Sequence, residues 1–371
     1  MDVPFRSGSL KIATIMGIPI RVHFSWLIIF GIITWSLSTF YFPHELPSLS
    51  VRYYWFSGAL AALLLFVSVA IHEMAHSFIA GRYKLPISGI TLFIFGGVSY
   101  MKGEPSDPRA EFNIAIAGPL SSFFLAALFF VGCRVLPNDM VRALFNYLLQ
   151  LNFLLGMFNL IPGFPMDGGR VVRAYLWSKT KDFFYATRKA ASYGEKSALL
   201  IITFGFFLIL AGISGGLWLM LIGWFLFNSA HESHQQVSFQ ESLRGVKVKD
   251  IMVRDIITMT ADLSLDEAVN NYFLKYGYGG FPLVNGKSFL GFISLKDIRD
   301  IPRSLWKNKK AADAFVPSDK SWEIDQDSDA MKALELMINE DRGRLAVVKD
   351  GSITGMITRN GIAKYMQIMA R

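Results

Sequence analysis

From Phe56 to Ala80 the chain runs for 25 residues with a single formally charged side chain, Glu73. A run of that length and polarity is long enough to cross a membrane as a helix, which takes about 20 apolar residues. A carboxylate at mid-bilayer costs about 2.5 to 3.5 kcal/mol on insertion scales, so one kept at that depth points to chemistry. Glu73 lies between His72 and His76 in the pattern His-Glu-x-x-His. On a helix the two imidazoles stand one turn apart on one face and can converge on one Zn²⁺, with Glu73 in reach of a water on that ion. The same groups could instead form a proton relay in a transporter.

The remainder of the chain bears out the membrane setting. Hydrophobic residues make up 52% of the 371 positions and mean hydropathy is +0.37, too apolar and too unevenly patterned for one soluble domain. Further apolar runs span about 22–42, 112–131, 143–161, 198–211 and 216–227. The last two are short and separated by Ile213 to Gly216, so they form either a tight hairpin of two spans or one kinked span. Basic residues favour the hairpin. With six spans, 14 Lys and Arg fall on the side of the N-terminus, from Arg6, Lys11 and Arg21 to Lys102 and Lys196, against Arg52, Arg134 and Arg142 opposite. This asymmetry predicts a cytoplasmic N-terminus and an even number of spans, with the C-terminal part also cytoplasmic.

Residues 1–240 hold 17 basic and 11 acidic side chains and residues 241–371 hold 20 and 18, so the excess charge sits in the membrane part, where it serves orientation and contact with the lipid bilayer. Nothing calls for nucleic acid. The lone Cys133 excludes a disulfide framework or a thiolate metal cluster. The first apolar run reads as a permanent span rather than a cleavable signal peptide.

Two histidines leave a catalytic zinc short of one protein ligand. Asp167 is the candidate, in Asn159-Leu-Ile-Pro-Gly-Phe-Pro-Met-Asp-Gly-Gly-Arg170. Pro162 and Pro165 break the fourth apolar run there, and irregular backbone at membrane depth survives only where protein walls a cavity. The other reading is a turn at the membrane surface made by Asp167, Gly168 and Gly169. His-Glu-Met-Ala-His at 72–76 together with this Asp-Gly-Gly segment resembles the site-2 protease family of intramembrane zinc metalloproteases. The opening Lys11 to Trp26 and the Ala-Ile-Ala-Gly-Pro-Leu-Ser-Ser of 115–122 are similar too, and the likeness covers roughly residues 8 to 230. The resemblance implies that His72, His76 and Asp167 ligate zinc, that Glu73 is the general base and that Asn159 contacts the substrate carbonyl. Asn159 could equally make a hydrogen bond that ends its own helix.

Ile87 to Met101 is rich in β-branched and aromatic residues and interrupted by Gly96 and Gly97, a strand or hairpin composition. Its edge could pair with an unwound substrate segment or serve packing alone; the resemblance implies a membrane-associated β-element. Gly118-Pro119 reads as a point of close helix packing.

Beyond Val246 the pattern changes to strands and short amphipathic helices that repeat at an offset of 64: 264–269 aligns with 328–333, and 291–298 with 355–362. Ser264 and Glu267 form a capping box, and Asn285-Gly286 and Asp350-Gly351 are hairpin turns. The pair resembles tandem CBS modules, regulatory α/β units that often bind adenine nucleotides. That likeness implies ribose binding by Ser294 and Asp297; the second repeat has Thr358, Arg359, Asn360 and Gly361 and lacks the carboxylate. A structural or homodimer-forming pair, with Asp297 capping a helix, is the competing reading. The stretch 231–245, with His231 and His234, reads as a polar linker.

The expected architecture is thus a multi-pass α-helical membrane protein, six transmembrane helices with a β-element over 1–230, followed by a cytoplasmic α/β tandem CBS module with repeats at 246–303 and 304–371. The expected function is zinc-dependent cleavage of transmembrane segments of membrane protein substrates, modulated by the CBS pair. A CBS-regulated metal or ion transporter and a silent membrane scaffold are the alternatives.

Overall fold

The computed structural model describes residues 8–369 apart from 95, 102, 287, 318, 319 and 350. Arg6 and Lys102 of the charge asymmetry, and Asp350 of the second hairpin turn, lie outside the described residues. The chain divides into two compact units, Met1–Val237 and Ser238–Arg371.

The first unit opens with a hairpin that the apolar pattern did not announce: β1 (Ser9–Ile15) and β2 (Ile18–His23). Met16 and Gly17 between them both have positive φ, the signature of a type I′ turn. The expected hairpin at 87–101 is present as β3 (Ile87–Phe93) and β4 (Gly96–Met101), antiparallel. The two hairpins join through parallel pairing of β2 with β3, giving a four-stranded sheet in the order β1-β2-β3-β4.

Around it stand the helices. α1 (Ser25–Ser36) passes through a π-helical stretch at Leu37–Tyr41 into α2 (Phe42–Glu45), and the three form one apolar rod. Then come α3 (Val51–Arg82), α4 (Pro108–Val135), α5 (Asp139–Asn159), α6 (Asp167–Thr180), α7 (Phe183–Leu210) and α8 (Gly215–Ser242). Five helices are long and apolar enough to cross a membrane: 25–45, α3, α4, α5 and α7. The sixth apolar run is the first half of α8. α7 and α8 pack as a helical pair, and a Cβ on Gly205 would stand 2.7 Å from the Gly216 carbonyl oxygen, so the two backbones meet there; α8 is not among the five candidate spans. Outward faces carry large apolar side chains, as at Leu120, Phe124, Leu128 and Val131 of α4. Inward ones are small: Ala61, Ala115, Ala190 and Ala198 are buried. Small residues let membrane helices approach closely where no aqueous hydrophobic effect drives them together.

α8 runs unbroken to Ser242, so most of the expected linker at 231–245 is helical. His231 and His234 turn toward one carboxylate oxygen of Glu195, at 3.0 and 3.4 Å.

The second unit begins, after the end of α8, with α9 (Val248–Ile251) and β5 (Met259–Thr260). A helical segment follows from α10 (Leu265–Ala268) through Val269–Phe273 to α11 (Leu274–Tyr276), then β6 (Gly280–Asn285), β7 (Ser288–Ser294) and α12 (Leu295–Arg299). The second repeat supplies β8 (Val316–Pro317), β9 (Glu323–Asp325), α13 (Ala330–Asn339), β10 (Arg344–Lys349), β11 (Ser352–Thr358) and α14 (Arg359–Met369). One mixed sheet runs β5-β6-β7-β11-β10-β9, with β8 on β7. Each repeat buries its own core, around Leu283, Ile293 and Phe281 in the first and Leu345, Val347 and Met337 in the second. The cores exchange segments. Val248 of α9, at the start of the first repeat, packs in the second core, and Ala311, beyond the expected boundary at 303, packs in the first.

Candidate metal centre

α3 brings His72 and His76 to one face, each 4% exposed. Asp167 is the first residue of α6. Its Oδ2 lies 3.2 Å from His72 Nε2 and 3.1 Å from His76 Nε2, and the two Nε2 atoms are 3.2 Å apart. Ligands held about 2.0 to 2.1 Å from zinc at tetrahedral angles stand about 3.3 Å from one another, so this triangle has the dimensions of three corners of a zinc tetrahedron. Among the described residues it is the one group of His, Cys, Asp and Glu side chains that converges in this way. His231, His234 and Glu195 do not.

The rest of each imidazole is tied down. His72 Nδ1 is 2.9 Å from Ser122 Oγ and His76 Nδ1 is 2.7 Å from the Ile114 carbonyl oxygen, both on α4. With Nδ1–H donating to these acceptors, the lone pair of each ring sits on Nε2 and faces the common point. Between the two acceptors lies Gly118. A Cβ there would fall 2.6 Å from His72 Nε2 and collide with His76 Nε2, so α4 passes the site at glycine distance. The expected packing role for Gly118 holds, but what it packs against is the candidate ligand pair.

Glu73 points the other way round the helix, toward β4. A Cβ on Gly97 would be 2.8 Å from Glu73 Cγ and 3.2 Å from Val69 Cγ1, so the strand lies directly on the Glu73 side chain. Ser99 Oγ on the same strand meets Ser77 Oγ of α3 at 2.7 Å. The sheet therefore runs beside the candidate base.

Asn159 is the last residue of α5, and its Nδ2 donates to the Leu155 carbonyl at 3.0 Å, a bond within its own helix. Ser294 and Asp297 lie in the second unit. The Asp297 carboxylate accepts from Ser294 N–H at 2.8 Å and Ser294 Oγ–H at 2.6 Å, closing the first turn of α12. Two open clefts lie in that unit: one of about 670 Å³ is lined from both repeats, by Ile256, Ile257, Tyr278, Arg344, Thr358 and Asn360, and one of about 730 Å³ by Leu295, Lys296 and Ile298 of the helix that carries Asp297, with Trp306. Sequence reasoning passed over the Ile114 carbonyl and gave Ser122 and Gly97 no part in the site. The motif 115–122 marked the right stretch of α4 without showing what it touches.

Comparison with known proteins gives the family. The model for peptidase family M50 matches residues 60–138 and 134–203, and the CBS domain model matches 248–304 and 316–368. The chain is 32% identical over 369 residues to the putative zinc metalloprotease Rip3 of Mycobacterium tuberculosis, an alignment spanning 97% of this chain and 93% of that one. The chain belongs to peptidase family M50. This M50 protein is also 32% identical over 362 residues to the zinc metalloprotease MJ0392 of Methanocaldococcus jannaschii, covering 97% of both chains. A solved site-2 protease from Methanocaldococcus jannaschii is 32% identical across 61% of this chain and 95% of its own, with a TM-score of 0.42. The family resemblance and the tandem CBS domains expected from the motifs thus hold, and the transporter alternative is not favoured.

Proposed function

We propose that this M50 protein is a zinc endopeptidase that cuts peptide bonds in transmembrane segments of other membrane proteins. His72, His76 and Asp167 are its zinc ligands, Glu73 its general base. The observation that carries the reading is the Nε2–Nε2–Oδ2 triangle with edges of 3.1 to 3.2 Å. Zinc in such a site supplies Lewis acidity and brings the pKa of water down toward about 7. Ser122 and Ile114 hold the two rings with Nε2 inward, and Asp167 contributes an anionic third ligand. Glu73 takes the proton from the attacking water and returns it to the amine nitrogen as the peptide C–N bond breaks. Asn159 would donate to the developing oxyanion, exchanging its bond to Leu155 for one to substrate; losing such a donor costs about 10²- to 10³-fold in rate.

A helical segment hides its peptide bonds in its own hydrogen bonds, so it must unwind to be cut. β4 is the outer strand of the sheet, lies on Glu73, and can pair with an extended segment. The first half of α8 would complete six spans, and the basic asymmetry supports a cytoplasmic N-terminus and CBS unit in a cell-membrane protein. The CBS pair would modulate access or assembly, either by binding an adenine nucleotide or by forming a homodimer. A nucleotide would sit either at Ser294 and Asp297, whose helix lines one cleft, or in the cleft beside Arg344 and Thr358.

Zinc content and cleavage of a membrane substrate, measured on wild type and Glu73→Gln, test the proposal. One zinc per chain in both, with cleavage in wild type alone, is expected. A zinc-free wild type, or a variant that still cleaves, would defeat it.

A further inference from the structure

α4 carries a second charged feature, which the mechanism does not use. Glu111, in its first turn, is fully buried and binds Arg173 of α6. Arg173 Nε donates to Glu111 Oε1 at 2.7 Å, and an Nη2 contact to the same oxygen is shorter still. Nη2 also reaches Glu104 at 3.3 Å, and the guanidinium carbon lies over the rings of Phe164 and Phe183, 5.2 and 4.8 Å from their centroids. Arg170, one turn nearer Asp167, stands 3.8 Å from Glu111. The other carboxylate oxygen of Glu111 is buried with no partner. Such a pair is a poor device for stability alone, since apolar residues of similar volume often do as well. It is a directional one, because the rigid, planar guanidinium donates two neighbouring N–H groups, Nε and Nη2, toward the one oxygen Oε1.

Direction is what Asp167 needs. α6 follows an irregular segment, and its N-cap residue Met166 makes no side-chain cap. Glu111, Ile114, Gly118 and Ser122 recur on one face of α4, at i, i+3, i+7 and i+11. Ser122 and Ile114 orient the histidines, Gly118 admits them, and Glu111 grips the helix whose first residue is the third ligand.

We propose that Glu111 and Arg173 are positioning residues: their buried pair sets α6 against α4 so that the Asp167 carboxylate meets both imidazoles. The proposal rests on zinc ligation by that triad. One face of α4 then places all three ligands.

The test is the rate at which full-length protein in detergent gives up zinc to a chelator, read beside thermal unfolding and the split of cleavage into kcat and KM. Glu111→Gln and Arg173→Lys should release zinc at least about tenfold faster, in the range seen when groups that orient metal ligands are removed, with kcat falling and KM unchanged. The deciding variant is the double apolar replacement Glu111→Leu with Arg173→Met. A merely structural pair predicts wild-type zinc release from a folded double variant, and that result would overturn the proposal. Fast release from a double variant with unchanged melting would support it. Should the double variant not fold, Arg173→Lys decides: it keeps the charge and loses the fork, and wild-type release from it overturns the proposal equally. A wild type that holds no zinc would instead defeat the zinc reading on which the inference stands.

Discussion

Asp167 and Asp297 both lie in the first turn of a helix, and the two units put them to different use. In the membrane unit the Asp167 carboxylate lies between two imidazoles that are almost wholly buried. In the CBS unit the Asp297 carboxylate folds back on Ser294, three residues earlier, and finishes a turn. The contrast extends to the charges around them. Glu111 and Arg173 pair inside the membrane unit with almost no exposure, whereas Lys249 and Asp327 pair on the surface of the CBS unit, each close to half exposed. Where water is excluded, an ionisable side chain is costly and survives with a partner and a task. Where water is at hand the same residue types serve local structure, at little cost and for little gain.

If that difference is real, the largest effects belong to the membrane triad. Asp167→Asn should empty the site of zinc and lower cleavage by about 10⁴-fold or more, as when one member of a catalytic unit is removed. CBS unfolding should not move. An Asp167→Asn protein that keeps its zinc would erase the contrast. Next comes Gly118→Ala, whose added methyl meets both Nε2 atoms. Zinc binding should weaken at least tenfold while the helices still insert, checked by zinc titration and by proteolytic resistance of the membrane part.

In the CBS unit, Leu283→Ala removes a fully buried side chain and should cost about 2 to 5 kcal/mol of that unit's stability, with zinc content unchanged. Asp297→Ala should cost only about 1 kcal/mol, the ordinary worth of a helix cap, in denaturant unfolding followed by the CBS signal. A much larger loss of AMP binding than of stability in Asp297→Ala would revive the ribose role. Smallest is the Lys249–Asp327 pair. The hydrogen bond from Lys249 holds the Asp327 carboxyl below its usual range, so its contribution is present above about pH 4 and lost as pH falls through the lowered value. The stability difference between wild type and Asp327→Asn should therefore stay constant from pH 7 to 5, shrink with salt, and close in acid.

How much was legible follows from how local each signal is. His72, Glu73 and His76 belong to one helix, where spacing alone puts the imidazoles together. Asp167 is legible because the intramembrane histidine pair lacks a third ligand and Pro162 and Pro165 break the helix beside it, and the CBS repeats because their turns and caps recur at a constant offset. The hairpin of β1 and β2 escaped notice because its apolar residues run into the first span. Ser122, the Ile114 carbonyl and the Glu111–Arg173 pair could not be assigned, since each acts on a residue at least 38 positions away.

The amino-acid order by itself determined the kinds of element, the apolar runs, the two CBS repeats and the candidate ligands for a zinc ion, because periodicity, helix breaking and metal preference are local properties. The tertiary structure alone decided that β4 lies on Glu73, that one face of α4 holds both histidines and the helix bearing Asp167, and that α9 packs in the second CBS core. Those are contacts between segments far apart in the chain, and burial and close packing select among them only when the whole unit has folded.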